Sequence, residues 1–128
     1  AARLTNAFAS ATVPKVNLIC KNAMGSAYIT MNSKHIGADL VFALDTAKIG
    51  MMDAKLAAQI MYAGETAEVR SEEAAEYDEL QCSAVAAAKR GYVDSIIEAS
   101  AVRQHLVYAF EMLYTKREAR PSKKHGTV

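Results

Sequence analysis

Residues 14–33, PKVNLICKNAMGSAYITMNS, decide how the rest of the chain is read. Val16, Leu18, Ile19 and Cys20 mark a buried strand over Lys15 to Lys21. Lys21 to Gly25 then reads as a short turn, and Ser26-Ala27 as the opening of a helix that runs to about His35. A strand that empties through a glycine turn into a helix leaves the first N–H groups of that helix without backbone acceptors. With the positive end of the helix dipole behind them, those donors attract negative charge. If a carbonyl oxygen sits there while charge builds on it, the turn becomes an oxyanion hole, which is made of backbone positions and not of side chains.

Working outward toward the N-terminus, Leu4, Ala7, Phe8 and Ala11 fall at helical spacing and predict a short amphipathic helix from Ala2 to Ala11. Pro14 ends it, because the residue before a proline is pushed out of the helical region. On the other side, Gly37 closes the helix after the turn, and Leu40 to Leu44 is a continuous apolar run short enough for a buried strand. Asp45-Thr46 makes a turn, Lys48 to Met51 a second strand, and Asp53 an N-cap for a helix through Lys55 to Tyr62 that stops at Gly64. Glu65 to Glu79 carries seven carboxylates against the single base Arg70, which reads as a solvated connector and helix start rather than an acidic docking surface. Tyr77, Leu80, Ala84 and Ala88 mark a helix ending at Gly91, and Val93, Ile96 and Ile97 a short strand. Ser100 is expected to cap a last helix whose buried stripe is Val102, Leu106, Ala109, Phe110 and Leu113. Strands alternating with helices argue an α/β fold with a largely parallel sheet, and no internal repeat is visible in the sequence.

The totals exclude several classes. At 128 residues the chain is one domain at most. A net charge of +1 favours neither nucleic acid nor an anionic membrane surface. No apolar run approaches the roughly 20 residues that a membrane span requires. Cys20 and Cys82 are too few and too far apart for a disulfide framework or a zinc site, and read as reduced core residues of a cytoplasmic protein. The six methionines read as core filler. The first residue is not Met and already lies in a helical pattern, so the chain is expected to be a piece of something longer.

No nucleophile-and-base arrangement is visible. The run Ala23-Met24-Gly25-Ser26-Ala27 is not a nucleophile elbow, so Ser26 matters here for its backbone N–H. His35, His105 and His125 have no second ligand at metal spacing, and no metal is expected. Tyr28 and Ile29, on the first turn of the helix, read equally as the floor of a pocket and as core packing. The basic tail Lys116 to Val128 reads as a solvated end more readily than as a phosphate clamp, although CoA phosphates would suit it.

Several ordered segments resemble the carboxyltransferase subunits of biotin-dependent acyl-CoA carboxylases and decarboxylases. They are Ala11 to Val16 (ATVPKV), Gly25 to Tyr28 with Met31 and Ser33-Lys34-His35, Ala38-Asp39, Ala47-Lys48-Ile49 with Met52, Ala87 to Asp94 (AAKRGYVD), Ile96-Ile97, and Arg120-Pro121 with Lys123 to Gly126. They cover nearly the whole chain. The resemblance implies a crotonase-like spiral of strand–strand–helix (ββα) units. It places residues 1–115 within the second of two such domains, as an incomplete C-terminal carboxyltransferase domain, with 116–128 as a basic tail.

The resemblance also implies roles. The backbone N–H groups of Ser26 and Ala27 would hold the ureido oxygen of carboxybiotin, and Gly25 would allow the close approach. Tyr28 and Ile29 would lie at the substrate side, with Ile29 facing the acyl pocket. Biotin would arrive on a separate carrier protein or domain, the other substrate would be an acyl-CoA, and subunits would assemble as homo-oligomers. Many members have Gly where Ser26 and Asp53 stand, so the rim of the turn differs here. The thioester half-site belongs to the other domain, and the chain alone is expected to be inactive. Two other readings stand beside this one. An ordinary crotonase hydratase or isomerase would need a Glu just beyond the turn, and residues 26–39 contain none. The chain could also serve only as an assembly module.

Overall fold

A computed structural model describes residues 1–120. Its elements are α1 (Ala2–Ser10), β1 (Val16–Ile19), β2 (Asn22–Met24), α2 (Gly25–Thr30), β3 (Leu40–Leu44), β4 (Lys48–Gly50), α3 (Ala54–Met61), α4 (Ala67–Cys82), α5 (Ala84–Lys89), β5 (Ser95–Ile97) and α6 (Val102–Leu113). The strands divide into two parallel sheets, β1-β3-β5 and β2-β4. In the first, Val16 lies beside Leu40 and Phe42 beside Ser95; in the second, Asn22 lies beside Lys48 and Met24 beside Gly50.

The two sheets have one cause. Only Cys20 and Lys21 separate β1 from β2, too short a link for a crossover that would return the chain parallel within one sheet. The chain therefore turns a corner, and β2 waits for β4 as its partner. β3 and β4 repeat the manoeuvre, so β1-β2-α2 and β3-β4-α3 are two successive turns of a spiral, and β5 begins a third. This is the strand–strand–helix arrangement that the sequence resemblance implies, built without any repeat in the sequence.

Period-two alternation explains the apolar run of β3. Val41 and Ala43 face a core shared with Ile19, Tyr28, Ile49 and Val93. Phe42, with Leu40 and Leu44, faces a second core closed by Ile97 and by Ala109, Leu106 and Val102 of α6. A strand buried on both faces reads as continuous hydrophobicity.

Several expectations need correction. The expected turn at Lys21 to Gly25 contains β2, which is too short and too polar to announce itself without its partner. The helix expected to reach His35 stops at Thr30. Asn32 takes a left-handed conformation (φ 57°), and a separate 3-10 turn, Lys34–Ile36, follows before Gly37 (φ 99°). The acidic stretch read as a solvated connector and helix start forms most of α4, which Thr66 caps. The helix expected from Tyr77 to Gly91 is broken at Ser83, whose Oγ accepts the Ala86 N–H at 3.2 Å and starts α5 instead. Asp53 caps α3 as read, accepting the Lys55 N–H at 3.0 Å, and α3 ends at Met61. Ser100 does not cap α6; it lies in a 3-10 turn, Ala99–Ala101, and its hydroxyl donates to Glu98 at 3.4 Å. Phe110 is half exposed, outside the buried stripe. Cys82 is buried but Cys20 is exposed. Met31, Met51, Met61 and Met112 are each more than half exposed, so they do not fill the core. Among the described residues no helix is long and apolar enough to cross a membrane.

These placements separate two phenylalanines. Phe42→Ala should lower stability by about 3–5 kcal/mol, because it empties the junction of β3, β5 and α6. Phe110→Ala should change it by less than about 0.5 kcal/mol. Urea unfolding of the two variants checks this.

Candidate functional site

The site is assembled where β2 passes into α2. Met24 ends the β2 ladder beside Gly50. Gly25 then takes a left-handed conformation, φ 64°, and α2 begins at once. A Cβ at Gly25 would lie 3.4 Å from the Met51 carbonyl oxygen, so this turn runs against the one that leads from β4 into α3. The requirement for glycine is therefore conformational first and steric second.

Ser26 and Ala27 lie in the first turn of α2, where N–H groups have no intrahelical acceptor. Neither N–H is engaged by a carbonyl or side chain elsewhere among the described residues. Both residues are exposed. The turn thus carries two adjacent unpaired donors, on exposed residues, at the positive end of a short helix.

Tyr28 and Ile29 turn the other way. Tyr28 is 6% exposed and packs in the first core with Val41 and Ile49, and Ile29 leans on the same cluster. The Tyr28 hydroxyl has no hydrogen-bond partner among the described residues. Burial pushes its ionisation up, and the neighbouring Tyr92 adds to this. The His35 ring sits edge-on to both tyrosines, with centroids 6.1 Å from Tyr28 and 4.6 Å from Tyr92.

α2 is fixed from behind by groups that the sequence reading recorded only as parts of motifs. Ser33 Oγ donates to Ile29 O at 2.8 Å. Lys34 Nζ donates to Asp39 O at 3.0 Å and to the Asp94 carboxylate at 2.8 and 2.9 Å. Asp94 in turn accepts the Val41 N–H at 2.8 Å. The 3-10 turn after α2 is thereby tied to β3 and to the loop before β5. Ser33-Lys34-His35 and Tyr92-Val93-Asp94 were the available signals, but pairing them needs the fold.

Two concavities are present among the described residues. A cleft of about 580 Å³ opens between the β2-β4 sheet and helices α3 and α4, lined by Asn22, Met24, Lys48, Asp53 and Arg70 among others. Met24 brings it up to the residue before the turn, while residues 25–29 do not line it. A larger apolar groove of about 960 Å³ runs along α6 past Val102, Leu106, Phe110 and Tyr114. The sequence reading named neither. His105 is a packing residue, its ring 5.9 Å from that of Phe42 and its Nδ1 3.0 Å from Ala101 O. His125 and residues 121–128 of the basic tail lie outside the described residues. Among the described residues no three His, Cys, Asp or Glu side chains are grouped to hold a metal ion.

Two substitutions test this geometry. Gly25→Ala should lower stability by about 1–2 kcal/mol, because alanine resists the left-handed conformation. Tyr28→Phe should leave stability unchanged or raise it slightly, since it removes a buried hydroxyl that makes no bond. Thermal unfolding followed by circular dichroism measures both.

Comparison with known proteins extends the picture. The carboxyl transferase domain family matches residues 1–128. The propionyl-CoA carboxylase beta chain of Saccharopolyspora erythraea is 44% identical over 137 residues, covering 99% of this chain and 25% of its own length. The methylmalonyl-CoA decarboxylase subunit alpha of Propionigenium modestum is 41% identical over 133 residues, covering 99% of this chain and 26% of its own. The chain spans about a quarter of the length of these curated relatives. Among solved structures, the transcarboxylase 12S hexamer with methylmalonyl-coenzyme A bound superimposes with a TM-score of 0.92. It is 37% identical, over 97% of this chain and 24% of that one.

Proposed function

The chain belongs to the carboxyl transferase domain family, and from that premise we propose that it forms part of a biotin-dependent enzyme that moves CO2 between carboxybiotin and the α-carbon of an acyl-CoA. One observation carries the residue assignment: the Ser26 and Ala27 N–H groups stand at the surface without a protein acceptor. Carboxybiotin, borne on a separate carrier, supplies the CO2. Its ureido oxygen fits a pair of exposed amide donors, because an uncharged donor pair binds a neutral carbonyl weakly and a charged one strongly. That difference is what lowers the barrier to transfer.

Each residue then has a distinct part. Gly25 shapes the turn, and Ser26 and Ala27 donate. Tyr28 and Ile29, packed against the first core, hold the helix from within and offer substrate no direct contact. No side-chain acid or base is required at this turn, which agrees with the lack of a Glu in residues 26–39 and disfavours a hydratase or isomerase. The thioester half-site is assigned to the part of the protein beyond this quarter, so the chain alone is inactive. The relative solved with methylmalonyl-coenzyme A is a hexamer, and we extend both an acyl-CoA substrate and a homo-oligomeric assembly to the protein that carries this chain. Two free cysteines, one of them exposed, suit a reducing compartment.

The test is a biotin-dependent acyl-CoA carboxyl-transfer assay on the full-length protein. Ser26→Pro removes one donor in the first turn of α2, where the lost N–H breaks no intrahelical bond. Circular dichroism checks that the variant folds, because a proline restricts Gly25 before it. The substitution should reduce kcat by about 10²–10³-fold. Unchanged turnover in a folded variant would remove these amides from the reaction and leave the assembly reading, which the wide apolar groove along α6 favours.

A further inference from the structure

α1 is gripped at its C-terminal end by side chains from elsewhere in the chain, and none of its nine residues is buried among the described residues. It leans on the Lys34–Ile36 turn. The rest of the chain grips its last carbonyls instead. Lys15 Nζ donates to Phe8 O at 2.9 Å, and the Arg120 guanidinium donates to Ala9 O. Cations at the C-terminal carbonyls of a helix satisfy orphan acceptors and complement its dipole.

Lys15 is tied to Asp39 through its backbone, and Arg120 connects to Asp39 through Glu118 and Lys116. The Lys15 N–H donates to Asp39 Oδ2 at 2.7 Å, and the Asp39 N–H donates back to Lys15 O at 2.9 Å. From the far end of the chain, Lys116 Nζ reaches both Asp39 carboxylate oxygens at 2.8 Å and Val13 O at 3.3 Å. Glu118 lies 3.3 Å from the same ammonium and also bonds Arg120. The Lys116 and Asp39 side chains are only 13% and 20% exposed, so solvent screens the pair weakly.

We propose that residues 116–120 are a clasp, closed through Asp39, that holds α1 against the Lys34–Ile36 turn, and that opening it releases α1 while both sheets remain folded. Shortening the tail or drawing it toward a partner would then loosen the segment directly behind α2. The inference stands apart from the carboxyl-transfer reading, because it concerns how residues 116–120 meet α1 and Asp39 and needs no ligand.

Charge sets the conditions under which the clasp holds. The charged groups facing the Asp39 carboxylate are Lys15 and Lys116, with Glu118 and Arg120 behind them. Burial pushes the Asp39 carboxyl up, but the hydrogen bonds from Lys116 and the Lys15 N–H outweigh it and hold it below the usual range. A carboxyl lowered in the folded state contributes fully above its ordinary value of about 3.9. That contribution is lost as pH falls through the lower folded value.

Amide hydrogen exchange on the full-length protein, read by mass spectrometry, tests the clasp. In Lys116→Met and in Arg120→Met, amides 5–11 and 34–37 should exchange about tenfold faster or more, with β1 and β3 unchanged. Lys116→Arg should retain protection. Wild-type protein taken downward in pH from about 5 until Asp39 protonates, with rates corrected for intrinsic exchange, should show the same local loss before β1 and β3 lose protection. If α1 keeps its protection in both methionine variants, or loses it only together with β1 and β3, the clasp does not exist as a separate device.

Discussion

Everything in this fold is referred to β3. It is the middle strand of its sheet, with β1 on one side and β5 on the other, and both of its faces are covered. Val41 and Ala43 are fully buried. Because the strand has no solvent face, the chain must lay one helical layer on each side of it. The first layer includes α2 and α5, through Tyr28, Ala84 and Ala87, and the second is α6. The backbone of β3 is also where the polar network attaches, through the Val41 N–H bonded to Asp94 and the Val41 carbonyl bonded to the Asp94 N–H.

That arrangement gives the Gly25 turn its rigidity without occupying its donors. α2 is only six residues long and could not persist alone. It is held by Tyr28 driven into the core and by Ser33 and Lys34 tied down behind it. With the helix anchored through its C-terminal side and its buried face, the amides at its N-terminal end need no protein partner. A backbone oxyanion site of the kind proposed would need unpaired donors on such a support.

The polar residues of the most distinctive motifs serve mainly as ties between distant segments. Lys34 and Asp94 join the 3-10 turn to the loop before β5, and Asp39 and Lys116 join the start of β3 to the chain end. Each tie is a charged pair partly withdrawn from water and supplemented by backbone donors or acceptors. Withdrawal makes an unpaired member costly, which holds such pairs to their partners. The exposed apolar residues have a different character. Val107 and Phe110 on α6, Tyr114 just after it, and Leu56 and Ile60 on α3 are each nearly half exposed or more. The second core covers only one side of α6, and α3 buries Ala54, Ala57 and Ala58 while Leu56 and Ile60 stay outside.

The amino-acid sequence determined the elements whose signal is local: the apolar run of β3, the Asp53 cap of α3, the helical stripe of Val102, Leu106 and Ala109, and the glycine before Ser26. The resemblance carried by its ordered motifs also implied the spiral of ββα units. Tertiary structure alone decided β2, the break of the long acidic helix at Ser83, the stop of α2 at Thr30 and the outward face of Phe110. A three-residue strand has no pattern of its own and exists only because β4 pairs with it. A serine within a helical run becomes a cap only when packing turns the chain there, and an aromatic residue's side is set by which neighbours arrive. Likewise Lys15, Asp39 and Lys116 were three unremarkable charges until the fold brought positions 24 and 77 residues apart into one hydrogen-bonded group.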